Sequence, residues 1–346
     1  MRIIKLSAVL IMGAAISACA ISVPKQTDAA YHLLERYKLG GTGGWDWLTV
    51  DAEGRRVFIS RSDHVTVIDA DSGKLLGEIS GTNGVHGIAL APELKRGYTS
   101  NGRAGTVTVF DLDSLKVLDE IKVTGDNPDA ILFDPASKRV FTFNGRSANA
   151  TVIDAISLKV VTTIALPGRP EFAVSDGLGR VYVNIEDKSE LTVIDPKAAQ
   201  VVASWSLAPC EEPSGLALDA AHQRLFSVCA NHKMMVLDAQ SGRHVAELLI
   251  GEGPDAAAFD PVTNLAFSSN GEGTVTVVHE DDADHFSVVG NVPTQKNAKT
   301  MALDSSTHRL YLSVAELGPR PEPTAEQPHP RPIIVPDTFS ILVVGQ

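Results

Sequence analysis

One short pattern of residues recurs seven times along the chain, and this repeat constrains the fold more than any other feature. In each copy an apolar run ends at a first marker, usually aspartate, and a later apolar run ends at a second one. The first marker falls at Asp51, Ala91, Asp134, Asp176, Asp219, Asp260 and Asp304, a spacing of 40 to 44 residues. The second falls at Asp69, Asp111, Asp154, Asp195, Asp238 and His279. Such a period, with several short strands per unit, is typical of β-propeller blades.

Each copy divides into four short strands, A to D, joined by tight turns. In the fifth copy, strand A ends at Asp219, strand B starts at Arg224 and strand C ends at Asp238. An aspartate that closes a strand can accept hydrogen bonds from nearby backbone N–H groups, so we predict a structural role for the strand C aspartates. An arginine starts strand B in six copies, which indicates a repeated structural contact. The sequence therefore predicts an all-β, seven-bladed β-propeller with four antiparallel strands per blade.

The two ends of the repeat indicate how the ring closes. Residues 31–39 match strand D of the other copies, but no strand A, B or C precedes them. The last copy has strand A at 300–304, strand B at 309–314 and strand C at 339–344, and it lacks strand D. We predict that the N-terminal strand completes the last blade, which would cover an otherwise exposed sheet edge.

The N-terminal residues are typical of an export signal. Arg2 and Lys5 precede an apolar stretch, residues 6–16, that is too short to span a membrane. We predict a signal peptide over 1–18 with a lipobox ending at a lipidated Cys19, then a linker over 19–30. Ordinary cleavage after Ala20 is the alternative. Both predict an extracytoplasmic protein, periplasmic or anchored to the outer membrane of a bacterium, with membrane contact only through the lipid.

Charge and cysteine content narrow the partners. The formal net charge of −12 and the lack of a lysine or arginine run make a nucleic-acid partner unexpected. Cys210 and Cys229 are the remaining cysteines, and in an oxidising compartment we predict a disulfide between them, with two buried thiols as the alternative. A monomer is assumed.

Some strands resemble a known repeat. Val107-Thr-Val-Phe-Asp111, Leu191-Thr-Val-Ile-Asp195 and Asn127-Pro128-Asp129 resemble the YVTN-repeat β-propeller family of secreted bacterial proteins. The resemblance covers residues 31–346 and implies the propeller fold and secretion. It implies no single activity, because that family includes surface proteins and binding proteins.

The loops that differ between copies predict the functional face. Strands alternate in direction, so the D–A and B–C loops share one face, and these loops vary most. The residue just before strand A is Asp46, His86, Asp129, Glu171, Ser214, Asp255 and Lys299. Since strand A is innermost in a blade, we expect these side chains to converge near the axis. A binding site and a hydrated polar rim both remain open.

The second set of candidates lies mainly in the B–C loops. The ligand-binding candidates are Trp45, Asp46, Trp47, Asn101, Asn144, Arg146, Glu212, Asn231, Asn270, Glu272 and Lys299. The two tryptophans would form an aromatic wall or belong to the core. Amide and carboxylate oxygens suit calcium, whereas a histidine among them admits zinc or manganese. Asp129, Glu171 and Asp255 are the metal-ligand candidates; no cofactor is certain. A proline-rich loop over 317–336 would form a lid, a partner arm or a loose loop.

Three functions are compatible with this sequence. The favoured one is a module that binds a small polar ligand, a metal or an envelope protein. The first alternative is a metal-assisted hydrolase or lyase that acts on a lactone or sugar-acid-like substrate, with His86 as general acid or base and Asp129 or Glu171 beside it. The second is a structural protein of the envelope. No Gly-x-Ser-x-Gly motif is present, so nucleophilic catalysis has no support in the sequence, and the zinc motif His-Glu-x-x-His is absent as well.

Overall fold

The computed structural model describes residues 31–324, 330 and 332–346. The predicted signal peptide, the lipidation of Cys19 and the linker lie outside these residues. The all-β propeller prediction is confirmed: the described strands form seven antiparallel sheets of four strands each. Two single-turn 3-10 helices, Pro92–Leu94 and Glu186–Lys188, are the only helices in the described part of the chain. Neither is long or apolar enough to cross a membrane.

The blades follow the chain in order, and each runs from strand A inside to strand D outside. Blade 7 takes its outer strand, β1 (His32–Lys38), from the N-terminal end of the described chain. Blade 1 contains β2 (Leu48–Asp51), β3 (Arg56–Arg61), β4 (His64–Asp69) and β5 (Leu75–Ser80). Blade 2 contains β6 (Val85–Ala91), β7 (Arg96–Asn101), β8 (Thr106–Asp111) and β9 (Val117–Lys122). Blade 3 contains β10 (Pro128–Asp134), β11 (Arg139–Asn144), β12 (Asn149–Asp154) and β13 (Val160–Ala165).

The remaining strands continue the same order. Blade 4 contains β14 (Pro170–Ser175), β15 (Val181–Ile185), β16 (Glu190–Asp195) and β17 (Gln200–Ser206). Blade 5 contains β18 (Pro213–Asp219), β19 (Arg224–Cys229), β20 (Lys233–Asp238) and β21 (His244–Leu249). Blade 6 contains β22 (Pro254–Asp260), β23 (Leu265–Asn270), β24 (Thr274–Asp282) and β25 (His285–Pro293). Blade 7 is completed by β26 (Met301–Asp304), β27 (Arg309–Val314) and β28 (Ser340–Gly345).

The ring closes as the sequence predicts. Strand β1 pairs antiparallel with β28, with Arg36 opposite Leu342. The predicted bounds of the two closing strands, 31–39 and 339–344, differ from the observed ones by about a residue. Consecutive A strands contact one another all the way round, including β26 with β2, so strand A lines the axis.

Repeated polar contacts hold the turns and join the blades. Asp154 accepts hydrogen bonds from the backbone N–H groups of Ile156 and Ser157, and the other strand C aspartates make similar bonds in their own turns. The strand B arginines reach into the next blade: Arg96 donates to the carbonyl of Ala155, 2.6 Å away, and several others do the same one blade further on. The structural roles predicted for both sets are confirmed.

A disulfide and a paired loop base stabilise the face that carries the D–A and B–C loops. The predicted disulfide is present: Cys210 precedes strand A of blade 5 and is bonded to Cys229 at the end of strand B, with both residues buried. The proline-rich loop is paired at its base, where Leu317 forms a β-bridge with Ile334. Ile334 packs in the same apolar cluster as Trp45, so this base lies against the loop that carries Asp46.

Candidate functional site

The predicted ring of polar residues is created by irregularities at the start of strand A. In blades 2 to 6 the register with strand B shifts by one residue after the first pair, as between Val85 and Ile88 in blade 2. His86, Asp129, Glu171, Ser214 and Asp255 occupy the second position of these strands. A β-bulge turns side chains away from the regular alternation. The variable residue of each of these five blades therefore lies at a bulge on the rim of the axial channel.

Serines of strand B stabilise this irregular backbone. The hydroxyl group of Ser100 accepts a hydrogen bond from the N–H of Gly87 and donates one to the carbonyl of Asp129 in the next blade. Ser269 makes the equivalent bonds to Ala256 and to the carbonyl of Lys299. These bonds satisfy backbone groups that a bulge leaves without ladder partners.

Three residues of this ring, Asp46, His86 and Asp129 of blades 1 to 3, form a close group. Nδ1 of His86 lies 2.5 Å from Oδ2 of Asp46 and 3.7 Å from Oδ1 of Asp129. One ligand atom from each residue lies within 4.8 Å of the others, a spacing at which a metal ion can be bound. The sequence analysis grouped Asp129 with Glu171 and Asp255 as metal ligands; the structure groups it with Asp46 and His86.

The protonation of Asp129 is perturbed by its surroundings. Burial raises the pKa of Asp129 to about 6, and the negative charges of Asp46 and Asp255 act in the same direction, while His86 opposes them. Carboxyl groups that titrate near neutral pH are concentrated at functional sites, although structural networks also produce them.

Glu171 forms an acidic pair with Glu186. Burial, and next the contact with the carboxyl group of Glu186, raises the pKa of Glu171 well above its usual value. Glu186 also binds Arg169, whose Nε lies 2.6 Å from Oε2. The carboxylate of Glu186 beside a buried carboxyl group disfavours the charged form of Glu171, so Glu171 holds its proton to higher pH than an ordinary glutamate.

Two of the three remaining members of the ring, Asp255 and Lys299, form an ion pair. Nζ of Lys299 lies 2.9 Å from Oδ1 of Asp255, and Thr300 donates a hydrogen bond to the other carboxylate oxygen. Burial raises the pKa of Asp255 although Lys299 lowers it. Neighbouring blades therefore pair their rim residues, and no such pairing was predicted.

The tryptophans are packing residues as well as neighbours of the site. Trp47 of blade 1 stacks on Phe172 of blade 4, with ring centroids 4.4 Å apart, so an aromatic layer crosses the channel beside the polar ring. Trp45 packs on Phe339, 5.3 Å away. Both tryptophans are partly buried. For Trp45, packing against the core agrees better with the structure than an aromatic wall for a ligand does.

Three of the predicted asparagine ligands are directed into their own blades. Asn101, Asn144 and Asn270 are fully buried at the ends of their B strands. Nδ2 of Asn101 donates to the hydroxyl groups of Thr106 and Thr108, and the other two make the same kind of bond to strand C. Their amide groups are therefore occupied by hydrogen bonds within their own blades.

The other predicted ligand residues are spread over the face. Glu212 and Asn231 line an acidic cleft of about 610 Å³ between blades 4 and 5, with Glu186, Asp187 and Glu211. Asn231 also binds the disulfide-closed loop, through the N–H of Glu211 and the carbonyl of Pro209. Arg146 is exposed in blade 3, and Glu272 accepts a hydrogen bond from Thr274 in blade 6. Glu186 connects the cleft to Glu171.

Comparison with known proteins identifies the fold and nothing finer. No protein-family model matches the chain, and no curated protein matches it. A chain of hydrazine synthase from Kuenenia stuttgartiensis is 20% identical, with a TM-score of 0.67, and the match covers 78% of this chain and 92% of that one. U3-55K is 12% identical, with a TM-score of 0.75 and coverages of 91% and 98%. The WD40 repeats of RRP9 are 11% identical, with a TM-score of 0.74 and coverages of 91% and 97%.

Proposed function

We propose that this chain is an extracytoplasmic binding propeller of the YVTN-repeat type. It binds a small polar ligand at the rim formed by the D–A and B–C loops, either directly or through a divalent cation. The observation that carries this proposal is the group of Asp46, His86 and Asp129, which three blades contribute at the mouth of the channel. Export, suggested by the N-terminal residues, would expose this rim to periplasmic or external solutes.

The charge of the face favours a ligand with positive charge or a bound cation. The rim group is continuous, through Glu171 and Glu186, with the acidic cleft between blades 4 and 5. Concave surfaces with charge of one sign raise the local concentration of the opposite charge. With three asparagine amides buried in their blades, the donors at the centre are one imidazole and two carboxylates. This set suits zinc or manganese better than calcium.

Cation binding tests the proposal directly. The full chain, purified without an affinity tag or chelator, would be analysed for bound metal and titrated with zinc, manganese and calcium. We expect Asp129→Asn and His86→Gln to weaken binding at the rim at least tenfold. Glu252→Gln is the matched control, because Glu252 is exposed on a D–A loop of the same face.

Equal affinity in wild type and both rim variants would refute cation binding at the rim. A screen of small cationic solutes against the same proteins would then test the direct mode. No difference between wild type and Asp129→Asn in that screen would refute the proposed site as a whole.

Catalysis is the second candidate, and the protonation of the rim supports it. Asp46 orients the His86 ring, while Asp129 and Glu171 retain protons at higher pH than ordinary carboxyl groups. Groups that exchange protons near neutral pH are suited to general acid–base catalysis. A metal-assisted hydrolase or lyase acting on lactones or sugar acids would lose at least a hundredfold in kcat/KM in His86→Gln. Absence of turnover in a lactone and sugar-acid screen would leave the binding proposal alone.

A further inference from the structure

On the opposite face of the ring, three titratable side chains from two blades meet at one interface. Asp219 ends strand A of blade 5, His222 lies in the turn that follows, and Glu280 lies near the end of strand C in blade 6. Nδ1 of His222 lies 2.9 Å from Oδ2 of Asp219 and 2.8 Å from Oε1 of Glu280. One ligand atom from each residue lies within 4.8 Å of the others.

Glu280 departs from the repeat at a position that is apolar in blades 1 to 5. The residue after the strand C marker is buried in blades 1 to 5 and is Ala70, Leu112, Ala155, Pro196 or Ala239. The backbone is equivalent in blade 6: the N–H of Glu280 donates to the carbonyl of Asn264, as that of Ala239 donates to Gln223. Blade 6 therefore buries a carboxylate where five other blades bury an apolar side chain.

The carboxylate of Glu280 lacks adequate partners among the described residues. Glu280 is 2% exposed; Oε2 accepts no hydrogen bond from the described residues, and Oε1 has only Nδ1 of His222, 2.8 Å away, as a partner. Nδ1 of His222 approaches Oε1, but a single ring nitrogen carries at most one proton and this one faces two carboxylates. Burial of a carboxylate without compensation is strongly unfavourable, so the arrangement calls for a further positive group.

The surroundings supply more negative than positive charge. Strands β24 and β25 of blade 6 are nine residues each, and their hairpin carries Asp281, Asp282 and Asp284. Arg224, the nearby cation, is already paired with Asp238 at 3.0 Å and lies 3.5 Å from Asp284. The excess of carboxylates favours a cation at this interface.

We propose that Asp219, His222 and Glu280 form a binding site for a divalent transition-metal ion of the zinc class. One imidazole and two carboxylates are ligands that zinc accepts, usually with water in a further position, whereas calcium and magnesium prefer oxygen ligands alone. Zinc–ligand bonds of about 2.0–2.2 Å put tetrahedral donor atoms ~3.3 Å apart, so the donors need to separate by about half an ångström. His222 can move, since its side chain is 45% exposed in a turn.

Such an ion would crosslink blades 5 and 6. This proposal does not depend on the function proposed for the rim, because the two sites lie on opposite faces and share no residue.

The test uses the full chain in a His86→Gln background, which removes an imidazole ligand from the rim. Untagged protein is stripped of metal, dialysed against zinc and analysed for zinc per chain, and its Tm is measured with and without zinc. We expect one zinc per chain and a rise in Tm on adding zinc. Glu280→Ala in this background should lose the zinc and the rise in Tm, with at least a hundredfold loss of affinity.

The variants are chosen so that folding does not obscure the result. Glu280→Ala introduces the residue that blades 1, 3 and 5 carry at this position, so the apo variant should fold. His222→Gln should also lose zinc, while His308→Gln should not. His308 is the matched control because it pairs with one carboxylate only, that of Asp260 at 2.6 Å. Zinc binding that is unchanged in Glu280→Ala, or absent before that substitution, would overturn the proposal.

Discussion

The carboxylates on the two faces of the propeller have opposite relations to the backbone. Asp304, in an A–B turn, is fully buried and accepts hydrogen bonds from the N–H of Ser306 and the hydroxyl of Thr307. Asp46 and Asp129, on the rim, face His86 and the axial channel instead. Carboxylates that recur at the same position in most blades therefore stabilise turns. Carboxylates at positions where the residue type varies between blades face other rim side chains at the mouth of the channel.

This difference has a physical origin. A turn imposes the same demand on every blade, because its N–H groups need an acceptor, and aspartate meets that demand locally. The rim imposes no backbone demand on the side chain, since strand B serines such as Ser100 and Ser269 satisfy the bulged backbone there. The side chain at each rim position can therefore differ from blade to blade, and such differences allow a binding site to form there.

The largest expected loss of stability comes from removing the disulfide, which is a structural element on the same face as the rim residues. The disulfide closes a loop of about 20 residues on this face, so the chain-entropy argument gives a loss of about 3 kcal/mol in the double variant Cys210→Ala/Cys229→Ala. Urea unfolding of oxidised protein would measure it. A loss below about 1 kcal/mol would show that the hydrogen bonds of Asn231 suffice to hold the loop.

The next effect concerns the turns. Asp304→Asn removes the charge that binds Arg55 and leaves one acceptor oxygen for several donors, so the free energy of unfolding should fall by about 2 kcal/mol. Asp304 lies on the face opposite the rim, so ligand or metal affinity at the rim should stay within twofold of wild type. Loss of rim binding in folded Asp304→Asn would break the comparison.

The matched rim substitution should behave in the opposite way. Asp129→Asn removes a carboxylate whose charged form is disfavoured by burial, so stability at pH 8 should be unchanged or higher by up to about 1 kcal/mol. Denaturant unfolding of the two Asp→Asn variants in parallel would measure the contrast. Unfolding of Asp129→Asn would mean that the rim carboxylate is structural.

The smallest effect is the dependence of these differences on pH. The folded-state pKa of Asp129 is raised to about 6, so its destabilising contribution is present above that pH and disappears as pH falls towards its ordinary range near 4. The advantage of Asp129→Asn should shrink between pH 8 and 5. Burial raises the pKa of Asp304, but hydrogen bonds from Ser306, Arg55 and Thr307 together outweigh it and lower the pKa in the fold. The stabilising contribution of Asp304 is therefore lost only as pH falls below the ordinary range of an aspartate. The deficit of Asp304→Asn should stay constant between pH 5 and 8.

The fold was predictable because a repeat states the same information seven times. Strand order, ring closure through β1 and the roles of the strand C aspartates all follow from aligned positions such as Asp69 and Asp154. The disulfide was predictable because the sequence predicts export and leaves two cysteines, Cys210 and Cys229, in the repeats. The exact ends of individual strands were less predictable, because pairing with the neighbouring strand, and not the local sequence, decides where β1 and β28 begin.

The site was predictable in composition but not in its pairing. The sequence identifies the seven rim residues, but the bulges that aim them depend on how strands A and B pair, and no local pattern specifies that register. Asn101 was assigned to a ligand because its own partners, Thr106 and Thr108, lie on the next strand. A recurring asparagine followed six or seven residues later by threonine was the available signal, as in Asn144 and Thr151. Glu280 was missed because it follows an apolar strand; comparison with Ala239 would have revealed it.

Binding of zinc or manganese to the rim, measured by titration of wild type, Asp304→Asn and Asp129→Asn in the Glu280→Ala background, tests the central claim most directly. That background keeps the proposed site on the opposite face from contributing. We expect Asp304→Asn to bind with wild-type affinity while folded, and Asp129→Asn to be fully folded and to bind at least tenfold more weakly. Equal binding by a folded Asp129→Asn, or weak binding by a folded Asp304→Asn, would contradict the division between repeated structural carboxylates and variable rim carboxylates.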